Sequence, residues 1–107
     1  MRRSKGLLGL GAALMLAAAP AIAAGSGAPA KATQCFACHG ADGLSKAPAA
    51  PNLAGQNEQY LVKALQDFRS GARAHEVMSM MAKGLSDQDI QAVSAYFSAI
   101  AISVKAP

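Results

Sequence analysis

The sequence Cys35-Phe36-Ala37-Cys38-His39 decides how this chain folds. Two cysteines at this spacing on a helical turn point to the same side and can reach one flat partner. A C-x-x-C-H arrangement is typical of covalent haem attachment, in which the two thiols form thioethers with the vinyl groups of one porphyrin. The next residue, His39, then lies below the iron as its proximal ligand. The pentapeptide therefore predicts one haem c, attached through Cys35 and Cys38 and ligated by His39.

Other chemistries use a pair of cysteines at the spacing of Cys35 and Cys38. A thioredoxin-like dithiol belongs to a βαβ unit, and no stretch of this chain alternates like a strand. A structural zinc site needs four ligands, and the chain offers only two Cys and two His. A disulfide between the two would close a very short loop and remove little chain entropy. We therefore favour haem attachment.

Residues 1–24 are typical of a cleavable secretory signal. A basic start from Met1 to Lys5 precedes thirteen apolar residues at 7–19, and Ala21-Ile22-Ala23 supplies the small residues of a cleavage site. We expect cleavage after residue 23 or 24, which leaves a domain at 25–107. Thirteen apolar residues are too few to span a hydrocarbon core about 30 Å thick. The sequence therefore predicts an exported periplasmic protein with no membrane anchor after cleavage.

Size and charge exclude several classes of protein. The chain has 107 residues and a mass of 10.8 kDa, enough for one small domain and too little for a multidomain enzyme. Its formal charge is +4, but loss of the signal removes three basic residues and leaves seven Lys and Arg against six Asp and Glu. A domain of net charge +1 lacks the concentrated basic face that nucleic-acid binding needs. We expect no nucleic-acid partner.

The apolar spacing predicts an all-α fold with three main helices. The first runs over 30–38 and stops at Gly40, and the second follows Asn57 and ends at Gly71. The third starts at the capping sequence Ser86-Asp87-Gln88-Asp89 and runs to about Ile102. Glycines and prolines make the stretch between the first two helices an ordered loop, and 72–84 shows no period of its own. With no Trp, two Tyr and three Phe, the side chains alone make a small core. A large apolar macrocycle would complete it.

These features together resemble the class I c-type cytochromes, across the whole mature chain. The resemblance rests on Cys35 to Gly40 with Asp42-Gly43, Pro51 to Gln56, Tyr60-Leu61, Leu85-Ser86-Asp87 with Asp89-Ile90, and Ala95-Tyr96-Phe97. It is greatest to the small bacterial periplasmic group that includes monohaem electron carriers and the halves of dihaem carriers. The resemblance implies a class I cytochrome c fold, with ordered loops around one covalently attached haem.

The sixth iron ligand has several candidates. From the residues alone, Met78, Met80 and Met81 are equivalent thioethers, and His75 is a rival because two imidazoles can also ligate a haem iron. In the family the ligand precedes by seven residues the Leu that opens the Leu-Ser-Asp helix start. Counting back from Leu85 selects Met78, and Met81 is then expected to line the haem pocket.

The resemblance also implies roles for residues around the haem. The carbonyl of Pro51 is expected to accept the Nδ1 proton of His39 and so fix the ring. Gln56, Tyr60 and Arg73 are candidates to bind the haem propionates, although Arg73 is equally a candidate for a solvated loop cation. Gly27, Val93 and Tyr96 match positions at which the first and last helices of the family cross closely.

The expected function is that of an electron carrier and not of an enzyme. Iron held by His39 and Met78 has no open position for a substrate, so the haem is expected to exchange one electron with transient redox partners. Membrane respiratory complexes and periplasmic oxidoreductases are the expected partner classes. The alternative is a haem-containing subunit, sensor or enzyme in which the sixth position is open or labile.

Overall fold

The computed structural model describes residues 4, 6, 8–18 and 27–107. Within these ranges all regular structure is helical, which confirms the predicted all-α class. None of the described helices has the length and apolar character needed to cross a membrane. The predicted cleavage positions after 23 and 24 lie outside the described residues, as do Arg2, Arg3 and Lys5.

The first helical segment carries both cysteines and His39. It begins as a 3₁₀ helix, Ala30–Cys35, and continues as one α-helical turn, α1 (Phe36–His39). Gly40 ends it with φ at 83°, a left-handed value that glycine adopts without strain. The predicted stop at Gly40 is therefore confirmed.

The second helix, α2, spans Glu58–Ser70 and has the predicted ends. The side-chain oxygen of Asn57 accepts a hydrogen bond from the backbone N–H of Tyr60 at 2.9 Å, which satisfies a donor that the helix itself leaves free. Gly71 closes the helix in the left-handed conformation, with φ at 88°.

The last helix, α4, spans Asp87–Ser98 and starts at the predicted capping box. The Ser86 hydroxyl accepts from the Asp89 backbone N–H at 3.1 Å, and the Asp89 carboxylate accepts from the Ser86 backbone N–H at 3.0 Å. The reciprocal pair satisfies two donors at once.

The expected extension of α4 to about Ile102 is wrong. The carbonyl of Phe97, which a longer helix would use for its own next turn, accepts instead from the backbone N–H of Gly55 at 3.0 Å. The chain then runs past Gly55, where a Cβ would lie 3.0 Å from an Ile102 side-chain atom. The hydrogen bond from the loop that precedes α2 therefore ends α4 before Ile102.

The expectation that 72–84 is irregular is also wrong, because a helix, α3, spans Glu76–Lys83. Its N-cap is His75, whose Nδ1 accepts from the backbone N–H groups of Val77 at 3.3 Å and Met78 at 3.2 Å. An acidic residue in the first turn and a basic one in the last complement the helix dipole. The helix packs against α2.

The core lies where the first helical segment and α2 meet α4. Its buried members are Ala32, Leu61, Val93 and Phe97. Ala32 is fully buried, whereas Gly27 is exposed and a Cβ built on it meets no atom within 4 Å. The close crossing with α4 is therefore made by Ala32, and the assignment of Gly27 to it is wrong.

Candidate haem site

The two thiols lie at the junction of the 3₁₀ helix and α1. Cys35 and Cys38 are both free, Cys35 half-buried and Cys38 exposed. Burial raises the pKa of the Cys35 thiol, which therefore stays protonated at neutral pH. Because the two residues are three positions apart on consecutive helical turns, their side chains leave the helix on the same side. Both are available for thioether formation.

His39 ends α1 and is buried, with only 7% of its surface exposed. Its Nδ1 lies 2.8 Å from the carbonyl oxygen of Pro51. A carbonyl can only accept, so Nδ1 carries the proton and Nε2 keeps its lone pair. This is the tautomer that ligates iron through Nε2, and a hydrogen bond at the other ring nitrogen increases the basicity of such a ligand.

The loop between α1 and α2 holds the Pro51 carbonyl in place through backbone contacts. The carbonyl of Gly43 accepts from the N–H groups of Leu53 at 2.7 Å and Ala54 at 3.0 Å. Gly43 has φ at 72°, and a Cβ on it would lie 2.6 Å from the Ala54 nitrogen. The Asn52 side chain also accepts from the N–H of Ser45 at 2.7 Å. The loop is thus a closed, ordered structure, as the sequence predicts.

A second anchor of this loop has no counterpart among the predicted site residues. The Tyr96 hydroxyl, on α4, donates to the carbonyl of Ala41 at 2.6 Å, two residues after His39. The Tyr96 ring also packs at 5.7 Å from that of Phe36, inside the cysteine pentapeptide. The family resemblance includes Tyr96, but nothing in the sequence indicates the partner of its hydroxyl.

The three methionines of α3 lie on different sides of the helix. Residues three apart on an α-helix lie about 60° apart around the axis, whereas residues two apart lie about 160° apart. Met78 and Met81 are accordingly half-buried on one side, next to the fully buried Ala82. Met80 is 65% exposed. The helix thus separates Met80 from Met78 and Met81.

His75, the rival ligand, has a structural task as the N-cap of α3. Its Nδ1 is occupied by two backbone N–H groups, and its ring contacts the edge of Phe68 at 6.4 Å between centroids. The residue is exposed. Sequence reasoning missed this cap because Ser, Thr, Asp and Asn are the usual N-cap residues.

Two of the three propionate candidates lie together. An Nη1 of Arg73 lies 3.5 Å from the Tyr60 hydroxyl, and its guanidinium stacks on the Phe68 ring at 4.5 Å from the centroid. The side-chain oxygen of Gln56 accepts from the backbone N–H of Asn57 at 2.8 Å, at the start of α2. Tyr60 and Arg73 therefore form one polar pair, and Gln56 is engaged locally.

The side chains present fit a covalently attached haem. Two thiols are free beside a buried imidazole whose Nε2 is left as a ligand. Large apolar side chains remain about half exposed at Leu44, Tyr60 and Val77. Among the described residues, two of the eight buried apolar side chains are alanines, Ala32 and Ala82. The donor set and the small core both suit a large apolar group bound at this site.

Comparison with known proteins agrees with this chemistry. A family model described as Cytochrome c matches residues 22–100 of the chain. The chain is 47% identical over 98 residues to cytochrome c4 of Pseudomonas aeruginosa, a match that covers 92% of this chain and 47% of that protein. It is 46% identical to a thiosulfate dehydrogenase electron acceptor of Thiomonas intermedia, over 98% of this chain and 47% of that protein.

A solved structure is similar as well. Reduced recombinant cytochrome c4 from Pseudomonas stutzeri matches with a TM-score of 0.59 and 36% identity, over 63% of this chain and 38% of that chain. The chain spans about half the length of the curated relatives that it matches.

Proposed function

The chain belongs to the cytochrome c family, and from this we propose that it is a periplasmic one-electron carrier with a single, covalently attached haem c. The observation that carries the proposal is the buried His39 ring, oriented by Pro51 with Nε2 free, directly after two free thiols. No other residue set in the sequence offers attachment, an axial base and its orientation together.

Each residue has a separate task in this proposal. Cys35 and Cys38 attach the porphyrin, His39 ligates the iron through Nε2, and the Pro51 carbonyl keeps the ring from rotating. Met78 would hold the iron through its sulfur as the second protein ligand. When bound, the haem supplies an iron that alternates between the ferrous and ferric states. The soft thioether of Met78 favours the ferrous state and so raises the reduction potential relative to a second imidazole.

Transfer of electrons without catalysis follows from the ligand set. With His39 and Met78 both provided by the chain, the iron has no position left for a substrate. The helical surroundings of Met78 support a fixed sulfur, because α3 has a capped N-terminus and packs on α2. We therefore propose a carrier in preference to a sensor or enzyme with an open sixth position.

The partners we propose are redox proteins of the periplasm and its membrane. One similar protein is named as the electron acceptor of a thiosulfate dehydrogenase, which supports a dehydrogenase as the electron donor here. Export through the signal at 1–24 brings the chain to that compartment. Fast turnover between such partners requires small, transient interfaces.

The test is to express the full chain in a host that exports it and attaches haem. We expect the purified protein to weigh one haem more than the cleaved polypeptide and to show a low-spin ferrous spectrum. The ferric form should add the weak sulfur-to-iron charge-transfer band in the red. A bare polypeptide mass would overturn the proposal, and a high-spin spectrum that shifts with carbon monoxide would favour the sensor or enzyme.

A further inference from the structure

One arginine joins the two ends of the segment that carries Met78. Arg69, in the last turn of α2, donates from Nη1 to the carbonyl of Leu85 at 3.0 Å and from Nη2 to the carboxylate of Asp87. Between these partners lies the segment 71–84, which contains α3. The guanidinium therefore connects the point where the chain leaves α2 to the point where it enters α4.

A second cation reaches the same junction from the first helical segment. Lys31 Nζ lies 3.4 Å from the carbonyl of Gly84, the C-cap residue of α3. The carbonyls of Gly84 and Leu85 thus face cations from two different helices. Positive charge is favourable at the C-terminal end of a helix, where carbonyls are left without partners. The hydrogen bond from Arg69 is shorter than that from Lys31, and Arg69 also forms an ion pair with Asp87.

Besides the packing of α3 on α2, the segment between the ends is supported by local hydrogen bonds. His75 and Ser79 bond to each other, and the His75 ring caps the helix of which Ser79 is part. Within 71–84, Ala82 alone is fully buried among the described side chains. Few side chains of this segment are buried, so releasing the hydrogen bonds at its ends would give it more conformations and make local opening more frequent.

We propose that Arg69 is the positioning residue for the sixth ligand: by holding both ends of 71–84 it keeps the Met78 sulfur on the iron and sets how often that bond opens. This inference rests on the proposed function, in which Met78 is the ligand. Arg69 itself acts through Leu85 and Asp87, on the segment that carries Met78.

The test compares Arg69→Met with two controls in the haem-loaded protein. Arg69→Met keeps a long apolar stem and removes every donor. Lys63→Met breaks the Lys63–Asp67 ion pair, which lies within α2 and holds no segment end. Val93→Ala weakens the buried core instead. The readouts are the rate at which cyanide binds the ferric iron, the intensity of the sulfur-to-iron band and the denaturant midpoint of unfolding.

We expect Arg69→Met to speed cyanide binding by about tenfold and to weaken the sulfur-to-iron band, because hydrogen bonds from a charged donor contribute enough free energy for such a change. Lys63→Met should leave the cyanide-binding rate and the sulfur-to-iron band unchanged. Val93→Ala should lower the unfolding midpoint without a matching increase in the cyanide rate. This separates local opening at the iron from a general loss of stability.

Asp87→Asn is the second variant, because it removes the ion pair and leaves the bond to the Leu85 carbonyl. We expect it to speed cyanide binding by a smaller factor, so the proposal is testable even where Arg69→Met does not mature. An unchanged cyanide rate in Arg69→Met overturns the proposal, and where that variant does not mature an unchanged rate in Asp87→Asn overturns it. An increase in Val93→Ala equal to that of the variant measured overturns it as well. A wild-type protein that lacks the sulfur-to-iron band refutes Met78 ligation itself, which is a distinct outcome.

Discussion

Single residues on α3 that look alike in sequence differ in their surroundings. Met78 and Met81 are half-buried on the side of Ala82, whereas Met80 is exposed. A thioether that is to stay on an iron must be held by its helix and its neighbours, since the sulfur is a weak ligand. Neighbouring side chains surround the side of α3 that carries Met78 and Met81, whereas the side that carries Met80 is exposed to solvent.

Replacement of the methionines one at a time tests the ligand. We expect Met78→Ala to lower the reduction potential by more than about 100 mV, well within the roughly 0.8 V range over which axial ligands set haem potentials. It should also open the iron to carbon monoxide. Met80→Ala should leave the potential near that of the wild type, and Met81→Ala should mainly perturb packing. Redox titration of the three proteins decides, and an unchanged potential in Met78→Ala would refute the assignment.

The part of this site that can be predicted from the sequence is the part encoded in contiguous residues. Cys35, Cys38 and His39 form one motif whose chemistry follows from its spacing. Pro51 and Met78 are expected only through the family resemblance, because nothing local relates them to His39. The N-cap role of His75 and the contacts of Arg69 with Leu85 and Asp87 cannot be predicted from the sequence, since both depend on where α3 lies in three dimensions.

At the scale of elements, the loop between α1 and α2 is as specific as a helix. Gly43 is buried at its centre, and its carbonyl binds two successive N–H groups on the opposite side of the loop. Pro51 precedes those groups in the chain. The position of the Pro51 carbonyl therefore depends on how closely the two sides of the loop approach each other at Gly43.

Gly43→Ala and Gly71→Ala separate this approach from backbone strain. Both glycines have positive φ, but a Cβ at 71 meets no atom within 4 Å, whereas one at 43 lies 2.6 Å from the Ala54 nitrogen. We expect Gly71→Ala to lower the free energy of unfolding by about 1 kcal/mol, as usual for an L-residue in the left-handed region. Gly43→Ala should cost more and reduce the yield of haem-loaded protein. Equal losses in denaturant unfolding would contradict the close approach.

The capping box of α4 makes stability depend on pH. The backbone N–H of Ser86 holds the pKa of the Asp89 carboxyl below its usual value. A carboxyl with a lower pKa in the folded chain stabilises the fold above its unfolded pKa of about 4, and this stabilisation is lost as the pH falls through the folded pKa. Asp89→Asn should therefore flatten the decline in unfolding free energy below about pH 4.

Ser86→Ala removes the other half of the box and should lower the free energy of unfolding by about 1 kcal/mol at neutral pH. Gln91→Ala, an exposed substitution inside α4, is the control and should have little effect. Chemical denaturation at several pH values measures all three variants. Identical pH profiles for Asp89→Asn and the wild type would show that the box does not contribute.

A helix end can be predicted from the sequence where a capping side chain or a glycine marks it. It cannot be predicted where packing against another element determines it. Asn57, Gly71 and Ser86 mark ends that the structure reproduces. The segment of α3 has no such mark before it, and eight residues are too few for a helix to be stable in isolation. Packing on α2 stabilises α3 as a helix. A hydrogen bond from Gly55, which is distant in sequence, ends α4 earlier than expected.

At the scale of the whole molecule, the side chains leave the core incomplete. Within the part of the chain that the structure describes, eight apolar residues are buried, and the aromatic ones are Phe68 and Phe97. A domain of about this size stabilised by side chains alone is marginal, and small folds commonly depend on an added group. The cytochrome c family supplies that group as a haem, so we expect attachment of the haem and folding of the chain to be coupled.

This coupling gives the last prediction. We expect the double variant Cys35→Ser, Cys38→Ser to yield little stable protein, because without thioethers the chain does not retain the macrocycle that completes its core. Leu61→Ala is the control: it removes a buried side chain at a cost of about 2–5 kcal/mol but keeps both thiols, so haem-loaded protein should still form. Circular dichroism and limited proteolysis compare the two. A helical, protease-resistant double variant without haem would mean that Ala32, Leu61, Val93 and Phe97 suffice as a core, and the haem would then be needed for electron transfer alone.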